Sequence, residues 1–306
     1  MSYSDIIEKI KEFEAKEDIS LLTYKGINIW FIIRSEIQLQ FREKNKHISY
    51  SISKFKKLYF LYKIKKLEKI IDNKNYYNYN KTDVIFYGDN DSYIESIGRN
   101  NYHKHFDPFI ESLTKLNLSY KKLFRVNQKH KPAIANDNLN FNEFSELIWL
   151  RTECKSDTYI PLLDKVASFF NLNLIFLTKR IIKTFEEAFY FNKILDYYEA
   201  KIVFVVCYYS RLVYPVLLAC KEKGIKIIDI QHGKQGEHHI CYTDFNFFPK
   251  KISLLPDYYW NWNQYSSDNI NKSNLKSINK PKTIIGGFLW EKFYKNNRIS
   301  TINNTK

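Results

Sequence analysis

Apolar residues in this chain fall into two patterns: stripes spaced three and four apart, and short continuous runs that stop at polar residues or glycine. The first predicts helices and the second predicts buried strands. Residues 4–17 carry Ile6, Ile7, Ile10 and Phe13 at helical spacing. From Tyr24 to Arg34 the pattern predicts a turn at Gly26, followed by a helix running to Arg42. Residues 54–70 form a basic amphipathic stretch, with Lys54, Lys56, Lys57, Lys63, Lys65, Lys66 and Lys69 against one acid, Glu68. Phe55, Leu58, Tyr59 and Tyr62 share its apolar face. Asn73–Lys81 has low complexity and no period, and reads as a linker. A strand is expected over Asp83–Tyr87, ending at Gly88-Asp89. A helix follows near Pro108–Leu116, then a second strand at Lys122–Val126. Residues 130–146 read as a polar surface insertion, and residues 160–200 as mostly helical.

The clearest unit spans 201–233. Ile202–Val206 is a short β-branched run. Ser210 fits an N-cap, and Leu212, Val213, Val216, Leu217 and Cys220 form a core-facing stripe. Gly224 fits the helix stop, and Ile225–Ile230 is the next strand. Strand, helix and strand in about thirty residues predict a right-handed parallel βαβ unit. The chain then turns polar and aromatic through Trp262. A last strand, Thr283–Ile285, meets Gly286-Gly287, and a polar tail follows Asn296. The fold class expected is α/β: a helical amino-terminal segment over 1–80, one Rossmann-like domain with a mainly parallel sheet over 81–295, and a polar tail over 296–306.

Composition adds little, because joint over-use of Lys, Asn, Ile and Tyr is what an AT-rich genome produces. The net charge of +15 favours anionic partners such as phosphates, nucleotide sugars or acidic lipid surfaces. No Arg-rich arm, RNA-binding signature or zinc-finger spacing is present, so nucleic acid is not the expected partner. Cys154, Cys207, Cys220 and Cys241 show no CxxC spacing. The opening Met1–Ile6 leads straight into a charged helix, and no apolar run nears the ~18 residues that cross a bilayer. A cytoplasmic location with reduced thiols is expected.

The chemistry centres on Lys226-Ile-Ile-Asp-Ile-Gln-His-Gly-Lys-Gln-Gly236, where a buried strand delivers His232 to a sheet edge. In open α/β sheets ligands bind at the carboxyl ends of strands. An imidazole with a pKa near ~6.5 suits a general base, but it also suits a structural hydrogen bond at a strand end. Gly233 has no Cβ, so a ligand or another backbone can come close there. Asp229 and Gln231 lie on one side of the strand by alternation, and either could orient the ring. Lys234, Glu237 and His238 are further candidate contacts in the following loop. His232, His238 and Cys241 are metal-ligand types, but no second ligand pair stands at convincing spacing, so no metal is expected. Tyr208, Tyr209 and Ser210 leave the preceding strand at the same edge, where aromatic faces could stack on sugars. Asp89, after the first strand, is either a third edge contact or part of a solvated loop. Trp260 and Trp262 read first as core packing under a loop, with a sugar platform as the alternative. Arg34 is expected to pair with a local carboxylate such as Glu36. There is no GxGxxG, P-loop or GxSxG motif, so no cofactor is expected.

Three stretches in order, Asp229–Gly236, Leu255–Trp262 and Ile284–Trp290, resemble bacterial capsule and surface-polysaccharide glycosyltransferases of the two-Rossmann-domain (GT-B) type. The early segment Gly26–Arg34 resembles their amino-terminal region. The likeness covers about residues 20–295 in outline, and only Lys226–Trp290 is specific. The His-Gly step is more distantly similar to the acceptor-side histidine of teichoic-acid-type polymerases. The resemblance implies transfer of a sugar from a nucleotide-activated donor to a glycan or lipid-linked acceptor, in capsule or lipopolysaccharide assembly. It implies His232 as base, positioned by Asp229 and Gln231. A second, donor-binding Rossmann domain is usual there, yet only sixteen residues follow Trp290. The resemblance therefore implies an acceptor-side half with the start of the interdomain linker: a truncated product, a half that works with a separate donor-domain chain as partner, or a degenerate remnant. The basic 54–70 stretch would fit a peripheral contact with the inner face of the cytoplasmic membrane. Two rivals remain: a non-catalytic acceptor- or membrane-binding module, and a teichoic-acid-type phosphotransferase.

Overall fold

The computed structural model describes residues 3–43, 81–89, 93–96, 99–125, 158–243, 254–273 and 281–291. It also describes single positions between 59 and 72 and between 145 and 152, and position 295. The chain opens with helix α1 (Tyr3–Lys16), which buries Ile6, Ile7, Ile10 and Phe13 as its spacing predicts. A small hairpin follows, β1 (Thr23–Tyr24) and β2 (Ile27–Asn28), with Tyr24 opposite Ile27. Its two turn residues, Lys25 and Gly26, both have positive φ (48° and 78°), the geometry that two-residue hairpins favour. Helix α2 (Trp30–Glu43) begins where the Asn28 side chain accepts the Trp30 N–H.

The centre is a six-stranded, wholly parallel sheet. Its strands are β3 (Val84–Asp89), β6 (Tyr120–Arg125), β7 (Ile202–Val206), β8 (Lys226–Ile230), β9 (Tyr258–Asn261) and β10 (Lys282–Ile285). They lie in the order β10-β9-β8-β7-β3-β6. A separate hairpin, β4 (Tyr93–Ser96) and β5 (Arg99–His103), springs from the carboxyl end of β3. Helix α3 (Asp107–Lys115) carries the chain from this hairpin to β6. The helices α4 (Leu163–Phe170) and α5 (Leu174–Tyr198) precede β7, α6 (Tyr214–Lys223) joins β7 to β8, and α7 (Gln264–Ser273) joins β9 to β10. This is an α/β fold with a Rossmann-like parallel sheet.

Strand alternation splits the interior into two cores. Ile85, Tyr87, Val203, Val205, Ile227 and Tyr259 face α1, α2, α5 and α6 in one continuous apolar cluster. Val84, Phe86, Phe204 and Ile230 face the other way, onto Phe106, Phe109 and Ile110 of the α3 segment. Amino-terminal helices and sheet thus share one core. Gly224 closes α6 in the left-handed region (φ 70°), and the Ile225 N–H returns to the Cys220 carbonyl, as a glycine stop requires.

Several elements differ from the sequence reading. Strand β9, the β4–β5 hairpin and α7 were not foreseen, because Tyr258–Asn261 sits inside a polar aromatic stretch that carries no apolar run. Helix α6 starts at Tyr214 with Val213 at its cap position, not at Ser210. Ser210 instead organises the preceding turn. Its carbonyl takes the Val213 and Tyr214 N–H groups, and its hydroxyl takes the Leu212 N–H. Of the basic 54–70 stretch, only 59, 62, 64–66, 68 and 69 are described, and all are helical. Ile64 is buried and Glu68 pairs with Arg151, while Tyr59 and Tyr62 are exposed. The expected linker over 73–80, the polar insertion over 130–144 and the tail over 296–306 lie outside the described residues.

Candidate functional site at the carboxyl edge of the sheet

Strand order fixes where a crevice opens. The crossover from β3 to β6 runs through α3 on one face, and that from β7 to β8 runs through α6 on the other. The two connections diverge between β3 and β7, which makes the carboxyl ends of these strands the topological switch point. Three segments converge there: Gly88–Asp89 with the His103–Phe106 stretch, the 207–213 turn, and the Gln231–Gly233 step.

The 207–213 turn is held from below. Cys207 leaves β7 with φ 62°, a left-handed conformation that side chains rarely adopt. The turn it makes aims the Tyr208 N–H at Asp229 Oδ1 (3.0 Å), while the Tyr242 hydroxyl donates to Asp229 Oδ2 (2.7 Å). Asp229 is 0% exposed, and burial pushes its carboxyl up to about 7, against the lowering effect of these hydrogen bonds. Tyr208, Tyr242 and Tyr259 are buried around it, and Tyr214 is buried beside Tyr208. The Tyr208 hydroxyl donates to the Cys241 carbonyl, and the Tyr214 hydroxyl donates to that of Phe31. Asp229 was expected to orient the His232 ring. Its two oxygens are taken by Tyr208 and Tyr242, and it fixes the turn instead. Tyr208, expected to line an acceptor pocket, lies wholly inside the protein.

Gln231 is a clamp. Its amide nitrogen donates to the Gly233 carbonyl (2.9 Å) and to Ser266 Oγ (3.1 Å), and its Oε1 accepts the Trp262 N–H (2.8 Å). It therefore positions His232 through the backbone of the loop, with no bond to the ring needed. His232 is half-buried, its ring centroid 6.1 Å from that of Tyr209. The Tyr209 hydroxyl lies 3.4 Å from His239 Nε2, and His239 Nδ1 accepts the Cys241 N–H. A Cβ on Gly233 would meet open space, so the loop leaves room beside His232. Lys234, Glu237 and His238 are exposed in the loop beyond, with Glu237 near Lys272 (3.9 Å). Trp260 packs over Gly286, where any Cβ would strike its indole, and its Nε1 donates to the Gly287 carbonyl. Trp262 stacks near Phe288. Arg34 pairs with Glu14 of α1 (3.0 Å), whereas Glu36 takes Arg211 and Arg180. The first pair joins α1 to α2, and the Glu36 pairs bind α2 to the body.

The facing wall was not foreseen. His103 stacks on Phe106 with ring centroids 4.1 Å apart. Its Nδ1 accepts the Phe106 N–H, so Nε2 carries the proton and donates to the Asp89 carbonyl (3.2 Å). Burial, above all, holds its pKa well below the usual range. Gly88 is required here, since a Cβ would come within 2.8 Å of the Phe106 ring. His105 follows at 6% exposure; among the described residues no hydrogen bond reaches its ring, yet its nitrogens are not among the buried atoms left without a partner. Burial first, then Lys104 and His232, push its pKa down to about 3. The signal was legible as His103-Lys-His-Phe-Asp-Pro108, two histidines placed just before a proline that opens a helix.

Among the described residues no group of three or more His, Cys, Asp or Glu side chains could hold a metal ion. No described helix is long and apolar enough to cross a membrane.

The class that fold and site define is a parallel α/β protein with a histidine-walled crevice at its switch point. No protein-family profile matches the chain, and no curated protein matches it. Among solved structures it is similar to one described as a UDP-N-acetylglucosamine 2-epimerase from Listeria monocytogenes. The identity is 10% and the TM-score 0.34, over 67% of this chain and 45% of that chain. This chain thus matches less than half the length of that protein. The fold assignment rests on strand order and register, not on that likeness.

Proposed function

We propose that this chain is the acceptor-side part of a glycosyltransferase, acting on a nucleotide-activated sugar and a glycan or lipid-linked acceptor in capsule or lipopolysaccharide assembly. The observation that carries the reading is His232, clamped by Gln231 at the switch-point crevice with open space beside Gly233. In this reading His232 takes the proton from an acceptor hydroxyl. The oxygen attacks the anomeric carbon, the bond from that carbon to the phosphate breaks, and the nucleoside diphosphate leaves with the electron pair. Asp229 and Gln231 act as positioning residues, through the turn and the loop respectively. Tyr209 and Gly233 line the acceptor side. Asp89 gives its carbonyl to His103, and Ser210 shapes the turn; Lys234, Glu237 and His238 are outer contacts. The donor nucleotide would be held by a further domain, in this polypeptide or a partner chain. Exposed Tyr59 and Tyr62, near exposed Lys65 and Lys66, support a peripheral contact with an acidic membrane.

The test is release of nucleotide from a panel of uridine, cytidine and guanosine nucleotide sugars by the native chain and by His232→Ala, with a whole-cell extract supplying both the acceptor and any donor-domain chain, and with turnover by the native chain above that of the extract alone. The expected loss for the variant is about 100-fold or more. Equal rates would overturn the assignment of His232 as base. Consumption of cytidine diphosphate-glycerol alone would replace sugar transfer by phosphoryl-group transfer.

A further inference from the structure

Of the adjacent pair His238 and His239, the first is exposed and the second is half-buried and tied in on every side. The His239 carbonyl accepts the Tyr242 N–H (2.8 Å), the Thr243 N–H (2.9 Å) and the Thr243 hydroxyl (3.1 Å), which fixes its backbone. Its ring is fixed as well. Nδ1 accepts the Cys241 N–H (3.2 Å), so in the neutral ring the proton sits on Nε2. Nε2 lies 3.4 Å from the Tyr209 hydroxyl. The bond therefore runs one way: Tyr209 could donate to Nε2 only if Nδ1 carried the proton, and Nδ1 is taken. The Tyr242 ring packs edge-on against both partners, with centroids 4.7 Å from His239 and 5.5 Å from Tyr209, and its own hydroxyl is held by Asp229 (2.7 Å). Tyr209 in turn is the ring beside His232, at 6.1 Å between centroids. Gln231 fixes the loop that carries His232, not the direction of the His232 ring.

We propose that His239 is a positioning residue for His232, acting through Tyr209. The proposal rests on the reading of His232 as base and adds the residue that sets its ring. The His239 Nε2–H holds the Tyr209 hydroxyl, and the Tyr242 ring backs both. Tyr209 is thereby kept as a fixed wall that limits the swing of the His232 ring. The limit matters because a general base works only within hydrogen-bond reach of the hydroxyl it deprotonates. A misplacement of about 1 Å can cost about 100-fold in rate. The same tyrosine cage that buries Asp229 thus reaches the base by a second route, through side chains, beside the backbone route of Gln231.

The experiment uses the whole chain with histidine side chains labelled with nitrogen-15, at about pH 8, above the ordinary histidine range. The signals are assigned with His239→Gln and His232→Ala. In the native chain His239 should show the Nε2–H tautomer. His239→Leu and Tyr209→Phe remove the two ends of one bond, so each should shift or broaden the His232 signal. The two changes together should do no more than either alone, as for residues in contact. His239→Gln, whose amide N–H can reach the same hydroxyl, should restore the signal. In the nucleotide-release assay, turnover should fall about tenfold in His239→Leu while the KM for the nucleotide sugar holds, and His239→Gln should recover it. Because the tautomer is read on the native chain, the test survives even if a variant folds poorly. The proposal is overturned if His239 shows the Nδ1–H tautomer, if His239→Leu leaves the His232 signal unchanged, or if the effects of His239→Leu and Tyr209→Phe add. Loss of turnover in His232→Ala with a His232 signal indifferent to His239 would sink this inference alone. Full turnover in His232→Ala with that signal moved by His239→Leu would sink the catalytic reading and keep the contact.

Discussion

Two buried polar groups share the carboxyl edge of one sheet and obey opposite rules. On the face covered by α5 and α6, Asp229 is wholly buried with both oxygens engaged, and three buried tyrosines, Tyr208, Tyr242 and Tyr259, surround it. On the α3 face, His105 is nearly as buried, with no hydrogen bond to its ring among the described residues. Burial alone does not separate structure from site; satisfaction does. A carboxylate that takes a backbone N–H and a tyrosine hydroxyl is an anchor for the 207–213 turn. An imidazole with no hydrogen bond from the described chain anchors nothing. Asp229→Ala breaks the first half of this contrast and should have the largest effect on stability. It leaves the Tyr208 N–H and the Tyr242 hydroxyl buried without an acceptor, at a cost of about 2–5 kcal/mol. Urea denaturation measures it, and a loss below about 1 kcal/mol would show that the turn does not depend on Asp229.

Gln231→Ala sharpens the same contrast inside the loop that carries His232. It removes three hydrogen bonds and leaves the Trp262 N–H without its acceptor. A loss of about 2–3 kcal/mol is expected. The His232 ring signal should broaden in the variant as the loop loses its fixed path. An unchanged signal would mean that other contacts set the histidine, and that Gln231 is not its positioning residue.

The two groups also titrate in opposite senses. The His105 pKa is depressed in the folded state to about 3, so the unfolded chain binds the proton first. Stability is whole above the unfolded pKa near ~6.5 and is lost as pH falls, by about 2 kcal/mol between pH 7 and pH 5. His103 shifts in the same direction. The Asp229 pKa is raised to about 7, so here the folded chain binds the proton first. Its destabilising effect is absent below the unfolded value near ~3.9 and grows as pH rises through 7. In the native protein the two slopes oppose each other. Asp229→Asn should uncover the histidine slope, a fall of roughly 2 kcal/mol or more from pH 7 to pH 5. Denaturation midpoints at the two pH values test this, and a flat profile in Asp229→Asn would contradict the placement of both histidines.

How much of this was legible before the structure follows the strength of the local signal. The βαβ unit from Ile202 to Ile230 was plain, because continuous β-branched runs flank a helical stripe that ends in glycine. The His232 edge followed from it. Strand β9 was hidden, since Tyr258–Asn261 has only Tyr259 and Asn261 fully buried and is completed by its neighbours on both sides. The role of Asp229 was misread because alternation fixes which face a residue takes and not which partner it meets. That partner, Tyr242, arrives from a loop thirteen positions on. His105 was missed for a related reason. The His103-Lys-His-Phe-Asp-Pro108 run marks a helix start but carries no periodicity, and only the strand order brings it to the switch point.

His105→Leu should have the smallest effect on stability, and for that reason it tests the contrast most sharply. If the imidazole makes no bond in the folded chain, replacing it removes a buried polar group and adds apolar surface of similar reach. The change at pH 7 should be within about 1 kcal/mol, with a gain as natural an outcome as a loss. Its effect should grow at pH 5, where the variant escapes the proton that the unfolded native chain would take up at this site. A loss above about 2 kcal/mol at pH 7 would mean that His105 holds the fold as Asp229 does, and the distinction between the two groups would collapse. A stable variant would place the two groups where their hydrogen bonding puts them: one sustaining the edge of the sheet, the other adding nothing to it.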